Sequence, residues 1–457
     1  MMTLSRRTFL GGALSLGALG CGRAFAAPAG LLSGAGAKLT LGVISDLHVA
    51  EGRGDFKKFG DATQFEKTLR WFDEQGVDGV IVAGDMADNG MLNQLEQVGE
   101  AWFRVFPNGK STRDGRPVEQ LFVYGNHDVE GQTYDKYDFR YFDKTSFESF
   151  WIRRDPAKAW RHVFKEDYAP IWFKTVKGYQ FVGAHWSVGK NAWDGIPEVE
   201  TWFKANAAKI DRTKPFFFIQ HCNPKDTVYG ADCWCPDKGY ATRALSAFPN
   251  AIAFAGHTHN SLTDERSIWQ GAFTSVGTSS LRYGGRVDKW EQRQGLLAKV
   301  YDDRVVLVRR DFLHDQSLGD DWVIPLPACT GAEKPFAFET RAKTSRPPEF
   351  AADAKLEVRR EKKGWLVTIP SAAATKTRSF RFEIATGLKD KDGRPVVFLA
   401  WDAKYNMPLA RAGAPTKYYV KDDKLPKGAD GKPLPPTFTV TPLDTFGNRG
   451  KPLNAVS

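Results

Sequence analysis

Cysteine is scarce in this chain, which has five cysteines among 457 residues. So few cysteines exclude a scaffold that depends mainly on disulfide bonds. Hydrophobic residues make up 42% of the chain and charged residues 26%, a balance that argues against a disordered or a collagen-like protein. Long apolar runs are also missing, and no stretch reaches the ~20 apolar residues that span a bilayer. We therefore expect a folded protein of two or three domains without a transmembrane segment.

The formal charge of +10 is concentrated in the C-terminal part of the chain. Residues 333–457 contain 24 basic and 14 acidic residues, whereas residues 1–332 contain 40 of each. This excess favours a weak association of the C-terminal region with an anionic surface. Nucleic-acid binding is the alternative, but the region carries no clear recognition motif, so we expect no specific nucleic-acid binding.

The N-terminus has the parts of an export signal in the expected order. Arg6 and Arg7 precede an apolar stretch, Phe9 to Leu19, that is too short to cross a bilayer, and Ala24-Phe25-Ala26 has the small-x-small pattern of a cleavage site. The pattern resembles a twin-arginine signal. We predict a signal peptide at residues 1–26, a linker at 27–37 and a periplasmic or secreted protein, with lipid anchoring through Cys21 as a minor alternative.

Two regions with different patterns follow the linker. Short apolar runs alternate with helical patterns over residues 38–317, which predicts an α/β catalytic domain. Examples are the runs Leu39–Ile44 and Ala251–Ala255, and the helical spacing of Phe65, Leu69 and Phe72. Residues 347–457 alternate between short strand patterns and turns rich in Pro, Gly and Asp, which predicts a small all-β sandwich. Residues 318–346 are the predicted connection.

Polar blocks follow five of the predicted strands. They are Asp46-x-His48, Gly84-Asp85-x-x-Asp88, Gly125-Asn126-His127-Asp128, His221 and Gly256-His257-x-His259. Ligands gather at the strand ends of an open α/β sheet, so these side chains are expected to meet. A step of two residues along an extended segment points both side chains to one side. Asp46 and His48 can therefore reach one centre, and so can His257 and His259.

The chemistry of these blocks predicts a metal site. Carboxylate, amide and imidazole groups without cysteine suit divalent or trivalent Mn, Fe or Zn better than a closed structural zinc site. Seven ligand-type residues are more than one ion needs. Two metal ions that share a bridging carboxylate would use all of them, and such pairs recur in enzymes that hydrolyse phosphate esters.

In this order, the five blocks resemble those of the calcineurin-like metallophosphoesterase superfamily, over roughly residues 38–315. The resemblance implies two packed β-sheets flanked by helices. It also implies a first metal bound by Asp46, His48, Asp85 and His259, with Asp85 bridging to a second metal bound by Asn126, His221 and His257. It further implies that His127 stabilises the transition state or protonates the leaving oxygen, and that Asp128 orients His127.

We therefore expect an exported dinuclear-metal phosphoesterase that hydrolyses P–O ester bonds of a phosphoester substrate by attack of a metal-activated hydroxide. The D-x-H block with His48 resembles the phosphodiesterase-like branch, which favours diesters. One alternative is a phosphomonoesterase of the same fold. The other is a non-catalytic, envelope-associated binding protein with a vestigial metal site.

Several residues near the blocks allow two interpretations. Asp88 either orients a ligand or caps the following helix. His185 is either a buried structural histidine or a substrate contact. Cys233-Trp234-Cys235 is too closely spaced for a standard zinc knuckle, and Cys222 and Cys329 leave the disulfide pairing open.

Overall fold

The computed structural model of the protein describes residues 36–50, 61–129, 155–186, 195–284, 290–328, 334–373, 378–402, 405 and 413–455. The predicted signal peptide, most of the linker at 27–37 and Cys329 lie outside these residues. Residues 37–457 form one unit. Among the described residues, no helix combines the length and the apolar character that a membrane span needs.

The regular elements are numbered in chain order. The strands are β1 (Leu39–Ile44), β2 (Gly79–Ala83), β3 (Glu119–Val123), β4 (Ile171–Val176), β5 (Tyr179–Ala184), β6 (Phe216–Ile219), β7 (Ala251–Ala255), β8 (Ile268–Gln270), β9 (Thr274–Gly277), β10 (Tyr283–Gly284), β11 (Trp290–Glu291), β12 (Gln294–Val300), β13 (Arg304–Asp311), β14 (Gln316–Ser317), β15 (Trp322–Pro325), β16 (Glu349–Phe350), β17 (Glu357–Glu361), β18 (Gly364–Ile369), β19 (Ala372–Ala373), β20 (Arg381–Lys389), β21 (Pro395–Trp401), β22 (Thr416–Lys421), β23 (Thr439–Leu443) and β24 (Leu453–Asn454). The α-helices are α1 (Thr63–Glu74), α2 (Leu92–Val105), α3 (Asn126–Val129), α4 (Pro156–Phe164), α5 (Glu198–Asn206), α6 (Tyr240–Leu245) and α7 (Phe338–Thr344). Short 3₁₀ helices occupy Pro107–Gly109, Ala207–Lys209, Gly230–Asp232, Glu265–Ser267 and Asp422–Lys424.

The first sheet joins the N-terminal strands to strands from the end of the predicted catalytic domain. Its order is β14-β13-β12-β1-β2-β3, and β15 also pairs with β13. β1, β2 and β3 are parallel, whereas β12 is antiparallel to β1. Every residue of β1 and β2 is buried, as expected for parallel strands that are covered on both faces. β15 lies inside the predicted connection at 318–346, so part of that stretch belongs to the sheet.

The second sheet has the order β4-β5-β6-β7-β9-β8. Its four inner strands, β5, β6, β7 and β9, are parallel. The edge strands β4 and β8 are each antiparallel to their neighbours. β6 consists of Phe216–Ile219, four apolar residues that are all buried. A short apolar run of this kind is typical of an inner strand.

The two sheets pack face to face between helical layers. Leu41 and Leu121 of the first sheet share a buried core with Phe217 and Phe254 of the second. On the outer face of the first sheet, α1, α2 and α4 bury a second core that includes Trp102. On the outer face of the second sheet, α5 and α6 bury a third core. This arrangement confirms the predicted fold class, an α/β protein with packed β-sheets flanked by helices.

The C-terminal region adds further sheets. Three strands pair in the order β17-β18-β22, four in the order β21-β20-β23-β24, and β16 pairs with β19. The two larger sheets share a core that contains Val367 and Val420 from one sheet and Phe382 and Val440 from the other. The C-terminal region is therefore built from all-β sheets with a core of their own.

Candidate metal centre

Seven polar residues lie just after parallel strands of the two sheets. Asp46 and His48 follow β1, Asp85 follows β2, Asn126 follows β3, His221 follows β6, and His257 and His259 follow β7. None of the seven is more than 6% exposed to solvent. The backbone N–H of His257 donates to the Asp46 carboxylate at 3.1 Å, which ties the second sheet to the first. Polar groups buried this deeply need partners, because their removal from water is unfavourable.

The first cluster contains Asp46, His48, Asp85 and His259. One potential ligand atom from each lies within 4.8 Å of the others. His259 Nε2 lies 2.8 Å from Asp46 Oδ1 and 3.1 Å from His48 Nε2. Two carboxylates and two imidazoles thus point at one small volume, which is the kind of donor set that binds a transition metal.

The second cluster contains Asp85, His221 and His257. His221 Nε2 lies 3.1 Å from Asp85 Oδ2 and 3.1 Å from His257 Nδ1. The same Asp85 Oδ2 lies 3.8 Å from His48 Nε2 of the first cluster. One carboxylate oxygen therefore stands between the two clusters.

Asn126 directly precedes a residue whose backbone contacts Asp85. Its neighbour His127 donates its backbone N–H to Asp85 Oδ1 at 2.9 Å. The side-chain oxygen of Asn126 is buried and has no hydrogen-bond partner among the described residues. A buried amide oxygen without a donor is costly unless another group, such as a metal ion, satisfies it.

The outer ring nitrogens fix the tautomers of three of these histidines. His48 Nδ1 contacts Asp88 Oδ1 at 2.9 Å, His221 Nδ1 contacts the Ala83 carbonyl at 2.8 Å, and His259 Nδ1 contacts the Tyr283 carbonyl at 3.1 Å. A ring nitrogen that faces an oxygen acceptor must donate, so in the neutral imidazole the inner Nε2 carries a lone pair. The two lone pairs of His48 and His259 repel each other at 3.1 Å unless a cation or proton lies between them. The residues therefore fit a bound metal ion.

Residues 39–261 match the model of the calcineurin-like phosphoesterase family. The matched segment contains all seven candidate ligands and is similar to a calcineurin-like metallophosphoesterase domain. A comparison with curated proteins found no match.

Among solved structures, the chain is similar to a dimetal phosphatase from Danio rerio, with 12% identity over 63% of this chain and 99% of the other and a TM-score of 0.37. It is also similar to the purple acid phosphatase PPD1 from yellow lupin (Lupinus luteus), with 16% identity, 63% and 53% coverage and a TM-score of 0.41. A third is Vps29 from Entamoeba histolytica complexed with Zn²⁺, with 10% identity, 63% and 99% coverage and a TM-score of 0.29.

Two glycines let the ligand loops of the metallophosphoesterase domain come together. A Cβ atom on Gly125 would lie 2.2 Å from Asp85 Oδ1 and 2.4 Å from the Asp85 backbone nitrogen. A Cβ atom on Gly256 would lie 2.4 Å from Asp46 Oδ2. All three distances are too short for real atoms, so only glycine allows the backbone to approach these carboxylates so closely.

The backbone of the domain is strained at the candidate ligands. Five of the seven have positive φ angles: Asp46 (54°), His48 (43°), Asp85 (51°), His257 (71°) and His259 (52°). This left-handed conformation costs a non-glycine residue roughly 1 kcal/mol or more. Strain of this kind is held by the surrounding structure and concentrates at functional sites.

The electrostatics of the clusters favour positive charge at their centre. Burial alone would lower the pKa of His221, but the carboxylates of Asp85 and Asp46 raise it to about 9. Burial also opposes ionisation of Asp85, yet His221 and His127 hold its pKa well below its ordinary value. Burial and the neighbouring His221 lower the pKa of His257 to about 3, which keeps this imidazole neutral. A bound cation would take the place of the proton on His221.

His127 lies beside the first cluster. The centroid of its ring is 4.7 Å from that of His48. His127 is half-buried, whereas the seven candidate ligands are all buried. His127 Nδ1 donates to the Asp88 carbonyl at 2.7 Å. Asp128 does not contact this ring: its two oxygens accept the backbone N–H groups of Ala87 and Gly125, each at 2.7 Å.

The expectation that Asp128 orients His127 is therefore wrong. Asp128 instead ties the loops after β2 and β3 together, because its carboxylate satisfies two backbone donors that the sharp turns leave without a partner. Burial and the nearby Asp85 raise the pKa of this carboxyl to about 7. The carbonyl of Asp88, a backbone group that sequence reasoning passed over, orients His127.

Structure also separates the interpretations of Asp88 and His185. Asp88 contacts His48, and the N-cap position of α2 is Met91, so Asp88 orients a ligand and does not cap the helix. His185 Nδ1 accepts the backbone N–H of Tyr124 at 3.0 Å, and its ring lies 4.5 Å from that of Trp160. Burial lowers the pKa of His185 to about 3. Among the described residues, His185 is thus a buried structural histidine.

Two aromatic residues at the centre carry no sequence motif. The Tyr283 ring lies 4.3 Å from the ring of His259 and 5.1 Å from that of His48. The Trp234 ring stacks on His257 at 4.7 Å. Tyr283 begins β10, and Trp234 follows the 3₁₀ helix Gly230–Asp232. The spacing of Cys233-Trp234-Cys235 does not predict that the ring between the two cysteines stacks on His257.

Proposed function

We propose that the protein is a dinuclear-metal phosphoesterase that hydrolyses P–O ester bonds, with a preference for diesters. The family match supports a metal-dependent phosphoester hydrolase in general. The observation that carries the dinuclear assignment is the position of Asp85 Oδ2, which faces His48 Nε2 in one cluster and His221 Nε2 in the other. An oxygen in that position can bridge two ions.

The residues divide into two ligand sets and one candidate proton donor. Asp46, His48, Asp85 and His259 would hold one ion, and Asp85, Asn126, His221 and His257 the other. When bound, the two ions supply Lewis acidity to a water and to the phosphoryl oxygens. His127 is available for proton transfer, because Nδ1 is committed to the Asp88 carbonyl and Nε2 is left to act on the leaving oxygen.

The test is metal quantification of the purified full chain, coupled to a panel of paired aryl monoesters and diesters of phosphate. We expect about two ions per chain, loss of turnover on chelation and recovery when Mn, Fe or Zn is restored. Bis(4-nitrophenyl) phosphate should be hydrolysed faster than 4-nitrophenyl phosphate. Turnover that survives complete removal of metal would overturn the proposal, and faster monoester hydrolysis would reassign it to the phosphomonoesterase alternative.

Export is a separate part of the proposal. The Arg6-Arg7 pair, the short apolar stretch and the Ala24-Phe25-Ala26 site support transport by the twin-arginine route to the periplasm or medium. Replacing both arginines by lysine should retain the precursor in the cytoplasm. Equal amounts of mature protein outside the cytoplasm for the two forms would contradict this route.

The C-terminal region is proposed to be a β-sandwich with a surface function. Its basic excess supports weak binding to an anionic surface. Binding to vesicles that contain anionic lipid should fall steeply as salt rises, because salt screens exposed charges. Binding that does not change with salt would contradict an electrostatic attraction.

A further inference from the structure

Trp234 combines wide exposure with contact to the candidate metal centre. It is 46% exposed, and its ring stacks on that of His257 at 4.7 Å with an interplanar angle of 20°. Trp186 also contacts His257, at 5.7 Å, but Trp186 is buried. The two tryptophans thus differ in their exposure to solvent. Trp186 is part of the core, whereas Trp234 presents ring surface to the solvent beside the site.

The loop before Trp234 is held by ion pairs. Asp232 Oδ2 accepts from Arg266 Nη1 at 2.8 Å and from Arg381 Nη2 at 2.6 Å. Arg266 belongs to the segment after the His257-x-His259 block, and its other arm donates to Asp264 at 2.9 Å. Arg381 belongs to β20 in the C-terminal region. A carboxylate two residues from Trp234 is therefore fixed from both regions of the chain.

We propose that Trp234 is a substrate-contact residue that gives the metal centre a preference for esters bearing a planar aromatic group, and that Arg381 is its positioning residue. The inference rests on the proposed function. An exposed indole ring stacks on flat aromatic groups, and it does so without demanding a particular base or substituent. The phosphoryl group binds at the two clusters, while an aryl or nucleobase group lies against Trp234.

The first test measures competitive inhibition of the metal-loaded full chain by phenylphosphonate and by methylphosphonate. The two probes share the phosphonate and differ in the ring. In the native chain we expect phenylphosphonate to bind roughly tenfold more tightly, the lower range for an aromatic stack. Trp234→Ala should remove this preference and leave the methylphosphonate inhibition constant and the metal content unchanged. Trp234→Phe should keep most of it.

The outcomes separate the two proposals. If methylphosphonate inhibits turnover and Trp234→Ala leaves the phenyl preference intact, the inference about Trp234 is wrong and the proposed function stands. If the metal-loaded chain hydrolyses no phosphoester at all, the proposed function fails, and the inference fails with it.

The second test is a double-mutant cycle for Arg381. Arg381→Met should raise the phenylphosphonate inhibition constant and the KM of an aryl ester severalfold while kcat stays constant, and Arg381→Lys should partly restore both. In the Trp234→Ala background Arg381→Met should have no further effect. Arg449→Met is the matched control, since Arg449 pairs with Glu383 in the same sheet. Equal effects of Arg381→Met in both backgrounds, or none in either, would overturn the positioning role.

Discussion

The two regions of this chain differ in where their histidines and their paired charges lie. All eight histidines lie before residue 347, and residues 347–457 contain neither histidine nor cysteine. In residues 39–261, carboxylates and imidazoles are buried together where the strands of both sheets end. In the C-terminal region, charged side chains pair near the surface, as Arg449 does with Glu383 and Arg360 with Asp422. Buried polar groups are costly and mark function, whereas exposed pairs contribute little.

Side chains of the C-terminal region contact segments that lie close in sequence to the candidate metal centre. Glu265 Oε2 accepts hydrogen bonds from Tyr405 and Thr445, and Arg378 donates to Thr263 Oγ1 at 3.1 Å. Arg381 reaches Asp232. All four C-terminal residues thus act on two loops, one after His259 and one before Trp234. Residues 347–457 contain no histidine or cysteine, but the C-terminal region contacts segments beside the candidate centre.

A large effect of a single methyl group is expected at Gly125, beside the candidate metal centre. Gly125→Ala would place a Cβ atom 2.2 Å from Asp85 Oδ1, so we expect loss of metal and turnover and destabilisation of about 3 kcal/mol. Gly393→Ala is the counterpart in the C-terminal region, where φ is +78° and the new Cβ would have no atom within 4 Å. It should cost about 1 kcal/mol with full turnover. Urea unfolding and turnover check both, and equal costs at the two positions would contradict the comparison.

A second prediction concerns His127, the half-buried histidine of the centre. His127→Asn should lower kcat roughly 10²–10⁴-fold for a phenyl ester, because the leaving oxygen then lacks a proton donor. The loss should be smaller for a 4-nitrophenyl ester, whose leaving group departs without a proton, and metal content should not change. His162→Asn, at an exposed histidine paired with Glu96, is the control and should have no effect. Equal losses for the two esters would exclude proton donation by His127.

Sequence alone predicted most of the fold because the strand-forming runs are short, apolar and bounded by polar blocks. β1 and β7 have the predicted bounds, Leu39–Ile44 and Ala251–Ala255. The sequence pattern does not predict which strands pair when they are distant in the chain. β15 adds to the first sheet from within a stretch predicted as a connection, since its partner β13 provides an open edge that a sequence pattern does not reveal.

The candidate site likewise has features that the sequence predicts and features that it does not. The seven candidate ligands follow strands, so their convergence follows from the geometry of an α/β sheet. The positions of the groups around these ligands do not follow from that geometry. The Tyr283 carbonyl contacts His259, and Asp128 binds two backbone N–H groups, because loops from different strands pack there. Backbone partners leave no trace in residue identity, and the ring of Trp234 reaches His257 from a loop without a motif.

The junction of the two regions gives a smaller, pH-dependent prediction. Burial and the nearby Asp264 raise the pKa of Glu265 above its ordinary value of about 4.3. The folded state then binds more protons than the unfolded state, so this residue's contribution to stability falls as pH rises from about 4.3 through the folded pKa. Glu265→Gln should flatten that fall in urea-unfolding measurements between about pH 4 and 8. An unchanged pH profile would show that Glu265 does not titrate at the junction.

The smallest effect is expected at the exposed pair of Arg360 and Asp422, 2.6 Å apart in the C-terminal region. Arg360→Ala should have the same turnover and the same unfolding midpoint as the native chain, because solvent-exposed ion pairs contribute little to stability. A large fall in turnover would show that this exposed pair acts on the centre, which would contradict the weak contribution expected of it.

The most direct test of the account is the number of metal ions bound per chain in Asp85→Asn. Because one oxygen of Asp85 faces both clusters, we predict that the native chain binds about two ions and that Asp85→Asn retains neither at comparable free metal, with no turnover. Asp73→Asn, at a buried carboxylate that pairs with Arg116 at 2.7 Å, should still bind two. Two ions bound to Asp85→Asn with native affinity would contradict the shared carboxylate, and with it the dinuclear centre described above.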